Sequence, residues 1–319
     1  MNLFLTIILF ALGVVLVVKG GDFFVDAASW IAEKSGIPKL IIGATIVSIA
    51  TTLPEMLVSV MAAVQGKVDM SIGNAIGSVT ANIGLIMALA LICMPGVIRR
   101  SDYLVKSIFM IIASALIVVC GMTGAISLPI CIMLLIVFVI FMWENVREVK
   151  CITANRQKSD GQAPTTRKVL ITNIVKFIVG ALGIVIGSQL LVDNGSTLAR
   201  LVGVPERVIG ITLIAVGTSL PELITTITAI AKKQSALSVG NILGANIMDL
   251  TLIMPLSSLI AGKALPVSFT LAYIDLPISL LFCLIAVVPT MIKSKFSRWQ
   301  GVLLLSLYIS YVILTCTVV

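Results

Sequence analysis

The chain has 319 residues, of which 59% are hydrophobic and only 11% charged, and its mean hydropathy is +1.17. A soluble domain of that composition would aggregate through exposed apolar surface, so the sequence reads as an integral membrane protein. Its net charge of +8 excludes little by itself, but the placement of the 22 Lys and Arg residues speaks for membrane topology and against a nucleic-acid partner.

Ten apolar runs, each able to cross about 30 Å of hydrocarbon as a helix, lie near residues 3–19, 37–65, 69–93, 104–121, 126–143, 169–193, 205–231, 236–260, 270–290 and 299–317. Met1 to Phe4 carries no basic residue and no small-residue cleavage site follows, so the first run is read as a helix and not as a signal peptide. Alternating apolar and polar positions, the mark of a membrane β-barrel, are absent. The six cysteines show neither CxxC spacing nor a pairing pattern and read as small apolar filler. With ten spans, one set of alternate loops and helix ends holds 18 of the basic residues. The other set holds only Lys67, Arg200, Arg207 and Lys263. The positive-inside rule then puts the basic side in the cytoplasm and both termini outside.

The longest polar stretch, residues 144–168, has no helical apolar face and is expected to be a flexible cytoplasmic linker. It divides the chain into a first five-helix repeat over 1–143 and a second over 169–319. Sliding the sequence by 167 residues aligns Val18–Met87 with Val185–Met254 without a gap, and roughly a third of the pairs are identical. Asp26 falls on Asp193, Leu53-Pro54-Glu55 on Leu220-Pro221-Glu222, and Gly73-Asn74 on Gly240-Asn241. Because five is odd, the second half must enter the membrane from the opposite side. The expected fold is an all-α membrane protein of ten transmembrane helices in two inverted-topology repeats, an architecture that places substrate at the midplane between the halves.

The chemistry sits in the best-matched segments. Glu55, Glu222 and Asp249 fall inside spans, where a carboxylate costs about 2.5 to 3.5 kcal/mol, so three of them cost on the order of 8 to 10 kcal/mol unless something neutralises them. No Lys or Arg shares their depth, which leaves a bound cation or a proton. Pro54 and Pro221 lack an N–H, so the carbonyls of Ala50 and Gly217 lose their donor and each helix is expected to break beside its glutamate. The hydroxyls of Thr51, Thr52, Ser78, Thr218 and Ser219 and the amide of Asn82 add neutral oxygens. Such hard oxygens suit Ca²⁺ and Na⁺, and the absence of His and of clustered Cys disfavours zinc or copper. The absence of His also removes the H-E-x-x-H and serine-triad routes to an intramembrane enzyme. Gly73, Gly77, Gly240 and Gly244, spaced by four, read as positions of close helix approach.

These segments resemble the paired α-repeats of the sodium/calcium exchanger family, in the calcium:cation antiporter superfamily, and G-T-S-L-P-E at Gly217 to Glu222 is the most specific match. The resemblance covers nearly the whole chain, and the short central loop points to the prokaryotic type, in a cell membrane. It implies a secondary antiporter working by alternating access, with spans 1 and 6 sliding as a gate. It further implies that Thr51, Glu55, Thr218 and Glu222 hold Ca²⁺. Sodium ligands would be Thr51, Thr52, Glu55, Ser78, Asn82, Thr218, Ser219, Glu222 and Asp249, with the backbone carbonyls of Ser48 and Ala215. Glu55, Glu222 and Asp249 are the metal-binding acids. No cofactor beyond the transported ions, no catalytic residue and no obligate protein partner is expected; the partners are inorganic cations and the bilayer. The sequence departs from the family at Ala50 (for Gly), Val79 (for Asn) and Ala245 (for Ser). These departures leave a proton-coupled calcium exchanger as the alternative.

Overall fold

A chain this apolar, in a medium with no water to accept backbone hydrogen bonds, has to satisfy its N–H and C=O groups within helices. The structure, a computed structural model, describes residues 3–97, 100–156, 166–203, 217–262 and 264–318 and is almost wholly helical there. The helices in chain order are α1 (Leu3–Ser35), α2 (Lys39–Val64), α3 (Val68–Cys93), α4 (Arg100–Gly121), α5 (Leu128–Arg156), α6 (Arg167–Leu201), α7 (Leu220–Ala231), α8 (Ser235–Ala261), α9 (Leu271–Lys293) and α10 (Arg298–Val318). Among the described residues nine are long and apolar enough to span a membrane; the shorter α7 is the described part of the seventh run.

Three boundaries differ from expectation for electrostatic reasons. Helix α1 continues sixteen residues past the apolar run, through Asp22 and Asp26, because the Lys232 ammonium pairs with both carboxylates, at 3.2 and 2.7 Å. Helix α5 runs through the supposed linker as far as Arg156. Its polar extension is held by Arg147 pairing with Glu144 one turn back, by the Asn145 amide donating to the Phe141 carbonyl, and by Lys106 of α4 pairing with Glu148. Helix α6 reaches Leu201, with the Asn194 amide donating to the Leu190 carbonyl and the Gln189 amide donating to Asp193. Residues 157–165 of the linker lie outside the described residues.

The larger of two apolar cores among the described residues is drawn chiefly from α3, α4, α8 and α9, with contributions from α2, α5 and α10; the smaller joins Phe24 and Val25 of α1 to Ile42, Ile184 and Leu237. Helices α1 and α6 lie together at the side of the larger core. They run antiparallel and touch through glycines: a Cβ on Gly13 would stand 3.0 Å from the Gly187 carbonyl oxygen, and one on Gly20 would stand 2.9 Å from that of Gly180. Gly13 and Gly20 are the repeat counterparts of Gly180 and Gly187, so this contact is its own mirror under exchange of the halves. Outward, α1 and α6 show Phe4, Ile7, Val15, Ile178 and Leu182 to the surroundings, as lipid-facing helices do.

Two antiparallel pairings of two residues each are the only strands among the described residues. β1 (Gly96–Val97), between α3 and α4, pairs with β4 (Lys295–Phe296), between α9 and α10. β2 (Ala125–Ile126), between α4 and α5, pairs with β3 (Leu265–Pro266), between α8 and α9. In repeat terms the loop after the third helix of each half pairs with the loop after the fourth helix of the other. The two pairings lie at opposite ends of α4, which is what an inverted repeat requires.

The glycine spacing has two outcomes. A Cβ on Gly240 would collide with the Leu40 carbonyl, and one on Gly244 with Ala44 and Ser48, so here α8 presses on α2 backbone to backbone. For Gly73 and Gly77 no described residue comes within 4 Å of that position. Their counterparts of Leu40 and Ala44 are residues 207 and 211, outside the described residues. Gly240→Ala is therefore expected to cost about 1–3 kcal/mol, seen as a lowered melting temperature of the detergent-purified protein.

Candidate ion-binding site

The site is built where α2, α3, the start of α7 and α8 meet. Helix α2 contains a π-helical turn at Gly43–Val47, just before Ser48-Ile49-Ala50-Thr51-Thr52-Leu53-Pro54-Glu55. The expected break at Pro54 is not seen: Ser48–Val64 is one α-helix with the proline inside it. Ala50, which lacks the conformational freedom of its repeat counterpart Gly217, is the physical reason. In the second half, where Gly217 is present, the break occurs. Residues 217–219 precede the helix, Ser219 adopts a non-helical φ/ψ of −88° and 7°, and Leu220–Ala231 begins with Pro221 in its first turn. Helices α3 and α8 each carry a π turn, at Asn82–Met87 and Asp249–Ile253, and so Asn82 and Asp249 open equivalent irregularities. π turns of this kind are frequent at functional sites.

Reciprocal hydrogen bonds tie the halves together. The Ser219 hydroxyl donates to Glu55 Oε1 at 2.7 Å, and its counterpart Thr52 donates to Glu222 Oε1 at 3.4 Å. Thr51 donates to Asn241 Oδ1 at 3.2 Å, and its counterpart Thr218 donates to Asn74 Oδ1 at 3.3 Å. Ser78 lies 3.5 Å from the Thr218 hydroxyl, and the Asn82 amide donates to Asn246 at 3.1 Å. The Ser48 carbonyl is within reach of the Thr51 hydroxyl, at 3.4 Å. Ser48, Thr51, Thr52, Glu55, Ser78, Asn82, Ser219, Glu222 and Asp249 are all buried, while Thr218 is half-buried. Ala215 lies outside the described residues.

Asn74 and Asn241 are the site residues that sequence reasoning did not single out. Their signal was present, since each follows the glycine of a matched Gly-Asn pair; the glycine was read and the amide passed over. Asn74 also donates to the Glu55 carbonyl and to Ser59, which fixes its Oδ1 toward Thr218.

What remains unsatisfied is as informative as what is bonded. Glu55 Oε2, Glu222 Oε2, Asn82 Oδ1 and both carboxylate oxygens of Asp249 are buried with no hydrogen-bond donor among the described residues. Among the described residues no cationic side chain pairs with these acids. Nor do any three acidic, His or Cys side chains there gather into a cage that could hold a metal unaided. The site is thus rich in acceptors with no partner among the described residues, spread over a hydroxyl and amide framework of the neutral oxygens that hard cations accept. A cavity of about 440 Å³ between α6 and this framework is bordered by Pro54, Gln189, Asp193, Thr218 and Pro221, so solvent-sized space reaches the Thr218 side of the site. At the other end of α1, Asp22 and Asp26 are joined to Lys232 at the end of α7.

Comparison with known proteins supplies the family. The family model for the sodium/calcium exchanger protein matches residues 5–146 and 172–317, and the second match begins 167 residues after the first. The chain belongs to the sodium/calcium exchanger family. An uncharacterized membrane protein of Methanocaldococcus jannaschii is 34% identical over 94% of both chains. The sodium/calcium exchanger MaX1 of Methanosarcina acetivorans is 29% identical over 95% of this chain and 96% of its own. Among solved structures, the sodium-calcium exchanger NCX_Mj superposes with a TM-score of 0.82 at 30% identity over 99% of both chains. Membership makes this exchanger a cation antiporter with two repeats in a membrane, and its transport class sets it apart from enzymes.

Proposed function

We propose that this exchanger couples Na⁺ entry to Ca²⁺ movement by alternating access, with the ions held between Glu55 and Glu222. The reading rests on one observation above the rest: each glutamate is fixed at Oε1 by a hydroxyl of the opposite half, and its Oε2 is buried with no partner among the described residues. A divalent ion between two carboxylates from different halves is matched electrostatically, whereas Na⁺ must enter in greater number to supply equal charge, so the two species compete for one set of oxygens. Thr51 and Thr218 complete the Ca²⁺ set. Ser48, Thr52, Ser78, Asn82, Ala215, Ser219 and Asp249 extend it to Na⁺. The MaX1 relative is named a sodium/calcium exchanger, and the NCX_Mj structures, soaked with Na⁺ and Sr²⁺ or Ca²⁺, address extracellular ion exchange; both support the same pair of ions here.

In this reading the α1–α6 pair slides along its glycine contact. The Asp22–Lys232–Asp26 bridge closes the side carrying the basic loops, the cytoplasm, and the cavity at Asp193 opens to the outside, where both termini lie. Residues 144–168 join the repeats on the cytoplasmic side. A proton-coupled exchange is the second reading, favoured by the two unpaired oxygens of Asp249 and by Ala245, which offers no hydroxyl beside them. Uptake of ⁴⁵Ca²⁺ into proteoliposomes separates the two. Uptake that requires internal Na⁺ and fails with internal K⁺ is the expected result; uptake driven by a pH gradient without Na⁺ would overturn it.

A further inference from the structure

We propose that the groove between α4 and α5, on the β1–β4 side of the molecule, binds the headgroup of an aminophospholipid, a phosphodiester carrying a primary ammonium. The groove encloses about 330 Å³ and is lined by Val105, Lys106, Glu144, Asn145, Arg147 and Glu148. It is distinct from the transport site and does not depend on which ions are exchanged.

Among the described residues its charges alternate and balance. Lys106, only 1% exposed, meets Glu148 at 3.1 Å, and Arg147 meets Glu144 at 3.2 Å. A bare anion would face two carboxylates and a bare cation two basic groups, so neither is matched. A zwitterion is: its phosphate accepts from Lys106 and Arg147, and its ammonium donates to Glu144 and Glu148. Asn145 supplies the independent observation. It is 3% exposed, its amide nitrogen is committed to the Phe141 carbonyl at 2.7 Å, and its Oδ1 is buried with no donor among the described residues. An ammonium N–H satisfies that oxygen, and a choline group, which has no N–H, cannot. The surroundings fit a lipid more than a soluble zwitterion. Trp143 is 59% exposed and stacks 5.7 Å from the Arg147 guanidinium, as aromatic and basic residues do at the headgroup level, and Val105 and Val146 offer apolar surface for the chains.

Native mass spectrometry of the full chain in detergent, titrated with phosphatidylethanolamine, phosphatidylcholine and phosphatidylglycerol of equal chain length, tests this. We expect phosphatidylethanolamine to bind about tenfold more tightly than the other two. Asn145→Leu and Arg147→Gln each should reduce it to their level; Arg147 is exposed, so its variant folds even if that of Asn145 does not. Glycerophosphoethanolamine, the headgroup without chains, should compete only at concentrations about a hundredfold higher. Equal binding of the three lipids, tighter phosphatidylglycerol, an unaltered preference in Arg147→Gln, or competition by the chainless headgroup at equal concentration would each overturn the proposal.

Discussion

Glu55→Gln and Glu222→Gln are each expected to reduce Ca²⁺ exchange more than about a hundredfold while leaving a folded protein. The amide keeps the side-chain shape, and its carbonyl can still accept from Ser219 or Thr52, so the contact between halves survives. The charge is what disappears. An ion touching a carboxylate at an effective dielectric near 20 gains several kcal/mol, and the loss of about 3 kcal/mol already exceeds a hundredfold in affinity. Thermal unfolding reads the same loss without transport: Ca²⁺ should raise the melting temperature of the wild type and not that of either variant, because only a ligand that binds the folded state stabilises it. Ser219→Ala is expected to act more mildly, about fivefold, since it removes one hydrogen bond worth about 1 kcal/mol and leaves the acid in place. A Gln variant that exchanges normally, or one still stabilised by Ca²⁺, would remove the two glutamates from the site.

The second large effect concerns movement. Gly20→Val and Gly187→Val are expected to slow exchange about 5- to 100-fold while equilibrium ⁴⁵Ca²⁺ binding stays within about twofold. A Cβ at either position lies 2.9 Å from backbone atoms of the opposite helix, which have no rotamer by which to yield. Overpacking of this kind costs about 1–3 kcal/mol, and if it is felt as the helices pass each other it enters the barrier, where each 1.4 kcal/mol is tenfold in rate. If binding falls in parallel with exchange, the glycines serve packing alone and the sliding of α1 on α6 is wrong.

Much of this was legible because the chain repeats. Hydropathy located the helices, and the 167-residue shift identified Glu55 with Glu222 and so implied a shared site between halves. Hydropathy did not show where helices outlast the apolar runs. Asp22, Asp26 and Glu148 look like span-ending charges in sequence, and their partners, Lys232 and Lys106, far away along the chain, help the helices continue. Proline chemistry alone foretold a break in both motif helices; it occurs after Gly217 and not after Ala50, so the residue at the head of the motif decides as much as the proline. The amides of Asn74 and Asn241 were hidden for a different reason. An asparagine bonded across the repeat interface looks, in one dimension, like any polar residue beside a glycine.

The crossed pairing of β1 with β4 and of β2 with β3, like the paired bonds at the glutamates, is the contact pattern of two identical chains related by a twofold axis. Two separate copies of a five-helix unit would have to present the same residue at the positions of Asn82 and Asp249, and such a dimer can hold only an even number of acids in its central cluster. Covalent fusion lifts that restriction. The single aspartate at 249, where the first half has Asn82, gives the buried site three acids, an odd count that symmetry alone would forbid.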